Sequence, residues 1–459
     1  MTVINRKQKP VHSEILKFHL PEINTFILDN GLKVYFVQNA SLPFLYMNII
    51  TDAGSKYDPA WKKGLAYLFA MTADEGAGEY DALQLSDEFD IIGANFGISC
   101  NQDTIYFSLQ VLKDELVKGI ELFTKVITQP HLDEEDFARE KRKVKTRIIQ
   151  IKDDADEIAN EVFEYKVFGD HNSYAFPPIG YEKDVDLISI NEIRDFYKNN
   201  LTPERSFIVI VGDYNPDNFK QLLNSYLKDW KAPSNSSEAL LYESSFASGI
   251  YLVNKKDSVQ SEIRTGLISF KRNAYDYFAR SILNTIFGGQ FSSRINLNLR
   301  EAKGYTYGAF SRFIYYKSSA YFYISTSVGI ENTSASLKEI FNEIEKIREG
   351  VSNEELEFAK SSLIRKFPSN FESYSQIASN IIGQVIHSLP DNYFETYLEE
   401  INRVTADRIL KAAQDNLNRD NFTTVIVGDI SKLLPQLQKV YTGRLFELDT
   451  NGRELRSLN

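Results

Sequence analysis

The chain carries one supersecondary pattern twice, and a duplicated chain can fold in few ways. Residues 188–213, ISINEIRDFYKNNLTPERSFIVIVGD, align without a gap on 404–429, VTADRILKAAQDNLNRDNFTTVIVGD. Each copy opens on a helix-capping hydroxyl, Ser189 or Thr405, and Ser189 with Glu192 makes a capping box. Apolar residues at helical spacing follow, then an Asn-Leu turn and a buried-strand run ending Ile-Val-Gly-Asp. A second echo joins 103–127 to 320–347, each a strand leading into a long helix. Acidic helix starts come next in both copies, at 132–141 and 352–361, where Asp and Glu suit the positive end of the helix dipole without any metal.

These repeats predict an α+β fold of two homologous tandem domains, each a mostly antiparallel sheet covered by helices on one face. A hairpin around Asn30-Gly31 opens the first. The boundaries read as an N-terminal extension at 1–22, a first domain at 23–230 and a linker at 231–248 rich in small and polar residues. A second domain follows at 249–445, then a C-terminal tail at 446–459.

The net charge of −11 argues against a nucleic-acid or anionic-membrane partner, although the run REKRKVKTR at 139–147 is strongly basic. A single cysteine, Cys100, excludes an intramolecular disulfide and any multi-cysteine zinc site. No apolar run approaches the roughly 18 residues of a membrane-spanning helix. The opening MTVINRKQKPVHSEILKF has no secretory hydrophobic core. The expected location is cytoplasmic if Met1 is the native start, and periplasmic if a signal peptide was removed. The histidines His12, His19, His131, His171 and His387 include no pair at the i, i+3 or i, i+4 helical spacing of a zinc site.

In the first repeat a strand, Ala53-Gly54-Ser55, Pro59 and Gly64-Leu65-Ala66 follow one another. This order resembles the pitrilysin/insulinase family of zinc peptidases, in the short-chain branch of the mitochondrial processing peptidases, with its LuxS/processing-peptidase-like fold. The loop FGDHNSYAFPPIG at 168–180 resembles the family's loop after its long distal helix. That family places an inverted zinc motif, H-x-x-E-H, directly after such a Gly-x-Ala, and takes a third ligand from a distant Glu. In register, this chain has Tyr67, Ala70 and Met71 at the motif and Arg147 at the distal position. A phenol, a methyl, a thioether and a guanidinium cannot supply two imidazoles, a general base and a carboxylate. The cationic Arg147 would also repel a metal ion. The resemblance thus implies a degenerate zinc site and no metal or other cofactor bound by this chain, with Tyr67, Leu68 and Met71 packing on a buried helix.

The second repeat contains FGGQFSSRINLNLREAKGYTYGAFSRF, residues 287–313. Ser292 and Ser293 are candidate caps for a short helix, Gly304 its left-handed end, and the aromatic run from Tyr305 reads as a strand. Taken alone, Arg300 and Tyr307 read as a surface ion pair and a sheet-face residue. The stretch resembles the family's GG-x-x-SSR, L-R-E, Gly and Tyr pattern through Gly288, Gly289, Ser292, Ser293, Arg294, Leu299, Arg300, Glu301, Gly304 and Tyr307. There the Arg and the Tyr are donors aimed at a substrate carbonyl and the charge that develops on it.

The resemblance implies a non-catalytic subunit, inactive alone, of a heterodimeric zinc metalloendopeptidase. Its partner would be a homologous subunit with an intact H-x-x-E-H and the zinc, and its substrate an unfolded peptide held as an extra strand on the partner's sheet edge. Alternatives are a catalytically inert structural scaffold, or a module that captures peptides without cutting them. A self-sufficient peptidase would need a metal site that these residues do not form.

Overall fold

The computed structural model describes residues 21–231 and 248–458. The expected N-terminal extension and linker fall almost wholly outside the described residues. The first repeat builds a six-stranded sheet from β1 (Ile23–Ile27), β2 (Lys33–Gln38), β3 (Phe44–Thr51), β4 (Asn95–Cys100), β5 (Ile105–Leu112) and β6 (Ser206–Gly212). Its order is β1-β2-β6-β3-β5-β4, and every neighbouring pair is antiparallel except β2–β6. The second repeat builds β7 (Gly249–Asn254), β8 (Gln260–Ile268), β9 (Ala309–Tyr315), β10 (Ala320–Gly329), β11 (Thr423–Gly428), β12 (Leu445–Leu448) and β13 (Glu454–Ser457). These are ordered β13-β12-β7-β11-β8-β10-β9, with β7 parallel to both β11 and β12 and the remaining pairs antiparallel.

The repeat read from the sequence is the repeat of the fold. The capped helices Ile190–Asn200 and Ala406–Asn416 each lead into an inner strand, β6 or β11. The Ser189–Glu192 capping box forms, and Thr405 caps its helix by accepting from the amide of Arg408. One expectation needs correction. The described part of the expected C-terminal tail, residues 446–458, joins the second sheet, because β12 lies parallel to β7 and β13 closes the outer edge. Leu445 and Leu448 of β12 are buried there, whereas the edge strand β13 is exposed along its length.

Side chains alternate across each sheet, so both faces need cover. On β3, Leu45, Met47 and Ile49 face helices of their own repeat, among them Leu116–Thr128 and Ile190–Asn200. The opposite face of the first sheet, with Val37, Ile50, Val209 and Val211, is covered by Tyr374, Ile377, Ala378 and Ile381 of the helix Tyr374–Ile386, from the second repeat. That helix is set by a Ser373–Gln376 capping box and an apolar stripe at i, i+3, i+4, i+7. Reciprocally, Ile158, Ala159, Val162 and Phe163 of the first repeat's helix Ala155–Phe168 cover Tyr251, Val253, Val425 and Val427 of the second sheet. Each large aliphatic side chain buried this way contributes about 1.5–3 kcal/mol. The halves are therefore joined through their cores.

Polar contacts complete the joint. The turn between β9 and β10 enters the first repeat, where the Lys317 amide donates to Asp103 Oδ2 at 2.7 Å and Lys317 Nζ to Asp52 Oδ2 at 2.6 Å. Glu164, on the exchanged helix, accepts from the hydroxyls of Tyr321 (2.6 Å) and Tyr316 (3.2 Å). Burial outweighs those two bonds and pushes its carboxyl up to about 7.

Candidate functional site

The segment 287–313 departs from a plain helix and strand. The helix Tyr277–Phe287 ends, and Ser293 begins one α-helical turn, Arg294–Asn296. Ser293 is the cap by backbone conformation, but its hydroxyl is buried and makes no capping bond. The chain then widens into a π-helical turn over Leu297–Ala302, in which the Lys303 amide donates to Asn298 O at 3.0 Å. Single π turns of this kind recur at functional sites. Gly304 follows with φ +66°, the left-handed conformation expected of it.

The surrounding residues hold this irregular backbone in place. Arg294 donates to both carboxylate oxygens of Glu355, at 2.6 and 2.8 Å, and to Gly350 O at 3.1 Å. The Arg294 guanidinium draws the Glu355 carboxyl down to about 2. Asn296 bridges the segment, donating to Phe291 O and accepting from the Ala309 amide, and Asn298 donates to Glu339 and Glu343.

The strand begins only at Ala309, so Tyr305–Gly308 form a connection instead of the expected strand start. The reason is Thr306. Its hydroxyl donates to Ser327 O at 2.7 Å and accepts from the Gly308 amide at 3.1 Å, and Thr326 Oγ1 lies 3.0 Å away. The backbone is thus pinned on both sides of Tyr307, whose side chain stands 92% exposed. Arg300 leaves the π turn with its guanidinium 4.4 Å from the ring centre of Phe291, a cation–π contact, and its Nε 3.4 Å from Glu301 Oε1. No described contact joins Arg300 to Tyr307; both reach solvent from a backbone that the neighbouring residues fix. Phe291, Leu297 and Phe310 are exposed as well and make the surroundings apolar. Sequence reasoning missed Phe291 and the Thr306–Thr326 staple, because nothing in the spacing joins Thr306 to a strand so far along the chain.

Of the positions expected to correspond to the zinc motif, Tyr67, Ala70 and Met71 lie on the helix Leu65–Thr72 and Arg147 on the helix Glu134–Ile151. Ala70 is buried at 1% exposure, and Tyr67 and Met71 are half-buried and pack against the core beside the buried Leu68, as the apolar packing expected of this helix requires. The two stand one helical turn apart at the margin of the first repeat's core, packed against it on one side and partly open to water on the other. Burial raises the Tyr67 phenol above its ordinary value, Cys100 adds to this, and the positive charge of Arg147 opposes it. The structure therefore brings Tyr67, Cys100 and Arg147 into one neighbourhood. The residues do not fit a zinc ion: Tyr67, Ala70, Met71 and Arg147 offer no imidazole and no carboxylate. Among the described residues, no group of three His, Cys, Asp or Glu side chains is placed to hold a metal. His131 bonds Gly78 O at 2.8 Å, His171 is exposed in a loop, and His387 ends a helix with its imidazole pushed down to about 4 by burial.

Fold and site together define a class: a tandemly duplicated α+β protein that presents an Arg and a Tyr beside one sheet edge and, among the described residues, has no donor set for a metal. Known proteins place the class more narrowly. The profile of "Insulinase (Peptidase family M16)" matches residues 33–173, and that of "Peptidase M16 inactive domain" matches 188–363. An "Uncharacterized zinc protease" of Rickettsia bellii is 24% identical over 422 residues, which cover 88% of this chain and 97% of that one. A "Non-peptidase homolog YmxG" of Helicobacter pylori is 21% identical over 414 residues, 87% and 92% of the two chains. The crystal structure of a peptidase M16 inactive domain from Pseudomonas fluorescens superposes with a TM-score of 0.82 at 24% identity, covering 89% of this chain and 98% of its own. This chain belongs to the insulinase family, peptidase family M16. Its sequence contains no H-x-x-E-H motif. No helix of the described residues is long and apolar enough to cross a membrane.

Proposed function

We propose that this chain is the non-catalytic subunit of a heterodimeric zinc peptidase, and that Arg300 and Tyr307 act in a chamber shared with a zinc-binding homologue. The observation that carries the reading is Tyr307: a tyrosine 92% exposed on a backbone pinned at both ends, beside an arginine held on Phe291, in a chain whose metal positions are refilled. A bulky side chain left in water on a fixed backbone suits a partner or substrate that covers it. Arg300 keeps its charge at any working pH and offers a planar fork of donors, and the Tyr307 hydroxyl adds a neutral donor. Together they would orient a peptide carbonyl and stabilise the negative charge that grows on its oxygen. The partner would be a homologue with an intact H-x-x-E-H, the substrate an unfolded peptide, and the compartment the cytoplasm or the periplasm according to the native start.

The test is co-expression with such a homologue and an assay on short unstructured peptides. The pair is expected to cleave and neither chain alone. Arg300→Ala and Tyr307→Phe should each lower turnover about 10²- to 10³-fold while the two chains still co-purify. A partner fully active by itself would remove the reading.

A further inference from the structure

The refilled metal position is not merely blank. The helix Leu65–Thr72 that carries Tyr67 packs against β4 and against the basic helix Glu134–Ile151. β4 is an outer strand of the first sheet, and among the described residues no strand pairs with its outer side, which leaves that side open to an added strand. Most cations of the basic run are already committed. Arg139 binds Asp136 and Glu75, Lys141 donates to Asp186 O and Ile188 O, Lys143 binds Glu140, and Lys145 binds Asp186.

Arg142 and Arg147 are the exceptions, and of the two only Arg147 is close enough to act on the Tyr67 phenol. Arg147 is 55% exposed, and its one described ion-pair partner, Glu157, stands 3.7 Å away. That is beyond the ~2.7–2.9 Å of a charge-assisted hydrogen bond, so its donors remain available. The donor chemistry of the neighbourhood is the reverse of a metal site's. Where a metal site presents lone pairs to a cation, Tyr67 and Arg147 present an O–H and a guanidinium fork to an anion.

We propose that this position is a subsite for the carboxylate of an Asp or Glu side chain in an extended peptide paired along the free edge of β4, with Arg147 and the Tyr67 hydroxyl as its donors. The free edge supplies backbone hydrogen bonds, and alternate side chains of the added strand turn toward the helix face. The subsite names a substrate class, peptides with an acidic residue, for the shared chamber and in that sense rests on the proposed function. Its binding chemistry needs only this chain. Glu157 competes for the same guanidinium and is itself exposed, so an arriving carboxylate displaces it into water.

The test uses the isolated full chain at low salt and dye-labelled unstructured peptides that differ only by Glu or Gln at one scanned position, read by fluorescence anisotropy. At the preferred position the Glu peptide should bind roughly three- to five-fold tighter than its Gln twin, and the difference should shrink as salt rises. Arg147→Gln should abolish the preference, and Arg147→Glu should transfer it to a Lys peptide. Glu157→Gln should strengthen it. Arg142→Gln removes the same charge about 140° round the helix and should leave the preference intact.

Equal binding of the two peptides, no binding of either, or equal effects of Arg142→Gln and Arg147→Gln would each overturn the subsite. The same peptides given to the co-expressed pair separate the two ideas. Turnover that needs Arg300 but ignores the acidic residue removes the subsite and leaves the proposed function. A preference dependent on Arg147 in a chain that stimulates no partner does the opposite.

Discussion

The two repeats reach their free sheet edges by the same route and do different things on the way. In the first, a helix with an Asp81–Gln84 capping box, Ala82–Ile91, is seated by Leu85 and Phe89, ends near a left-handed Gly93 at φ +61°, and enters β4 at Asn95. In the second, the uncapped turn at Arg294 loosens into a π turn, meets a left-handed Gly304 at φ +66°, and enters β9 only at Ala309. The delay between glycine and strand is what lifts Tyr307 into solvent. The plain version makes an edge strand. The loosened version makes an edge strand with a displayed Arg and Tyr, which shows how little backbone change a binding device requires.

That comparison can be broken most severely by trimming the second connection to the length of the first. Deleting Tyr305–Tyr307 should leave the helical circular dichroism and the association with a partner in place, while peptide turnover by the pair falls at least about 10²-fold. Unchanged turnover would mean that the longer connection has no chemical role. A second prediction sharpens how far the repeats depend on each other. Ile381 belongs to the second repeat but packs on the first repeat's sheet. Ile381→Ala should cost about 2–5 kcal/mol in urea titration, with both halves melting in one transition by intrinsic fluorescence and circular dichroism. Separate transitions would show that the exchanged helices do not couple the halves.

Smaller effects test the glycines. A Cβ added at Gly93 or Gly304 meets nothing within 4 Å, so only the left-handed backbone is strained. Gly93→Ala and Gly304→Ala should lose similar stability, about 1–2 kcal/mol, yet only Gly304→Ala should reduce turnover by the pair.

The last prediction concerns pH. Glu164, inside the joint between repeats, has its carboxyl raised from 4.5 to about 7 by burial. The folded chain holds that proton more tightly than the unfolded one, so this contribution is full below pH 4.5 and is lost as pH rises through about 7. Glu355, paired with Arg294, is lowered from 4.5 to about 2, so its contribution is present above pH 4.5 and fades as pH falls toward 2. Glu164→Gln should flatten the decline of the urea midpoint between pH 4.5 and 8 and leave the acid limb unchanged.

The duplication, the Asn30-Gly31 hairpin, the Ser189–Glu192 capping box and the left-handed Gly304 were all legible in the sequence, because each rests on local chemistry written in neighbouring residues. The exchanged helices were not. Tyr374–Ile386 shows an apolar stripe in any reading, but a stripe does not say which sheet it will cover, and here it is the sheet of the other repeat. Likewise Leu445–Leu448 and Glu454–Ser457 are four residues each, too short for an alternating pattern to stand out from a polar terminus. Arg300 and Tyr307 stood out through their pattern, but the geometry that displays them depends on Thr306 meeting Thr326 and Ser327, a meeting that exists only after β10 has formed.

The exchange of helices also sets a timetable for the newborn chain. The first sheet is complete in sequence once β6 has been made at Gly212, but its cover, Tyr374–Ile386, emerges only some 160 residues afterwards. At roughly 5–20 residues per second, the ribosome leaves Val37, Ile50, Val209 and Val211 facing water for about ten to thirty seconds. The second sheet has no such wait, since Ala155–Phe168 is synthesised before any of its strands. Of the two halves, the first is the one that leaves the tunnel with a sticky face and a call on a chaperone.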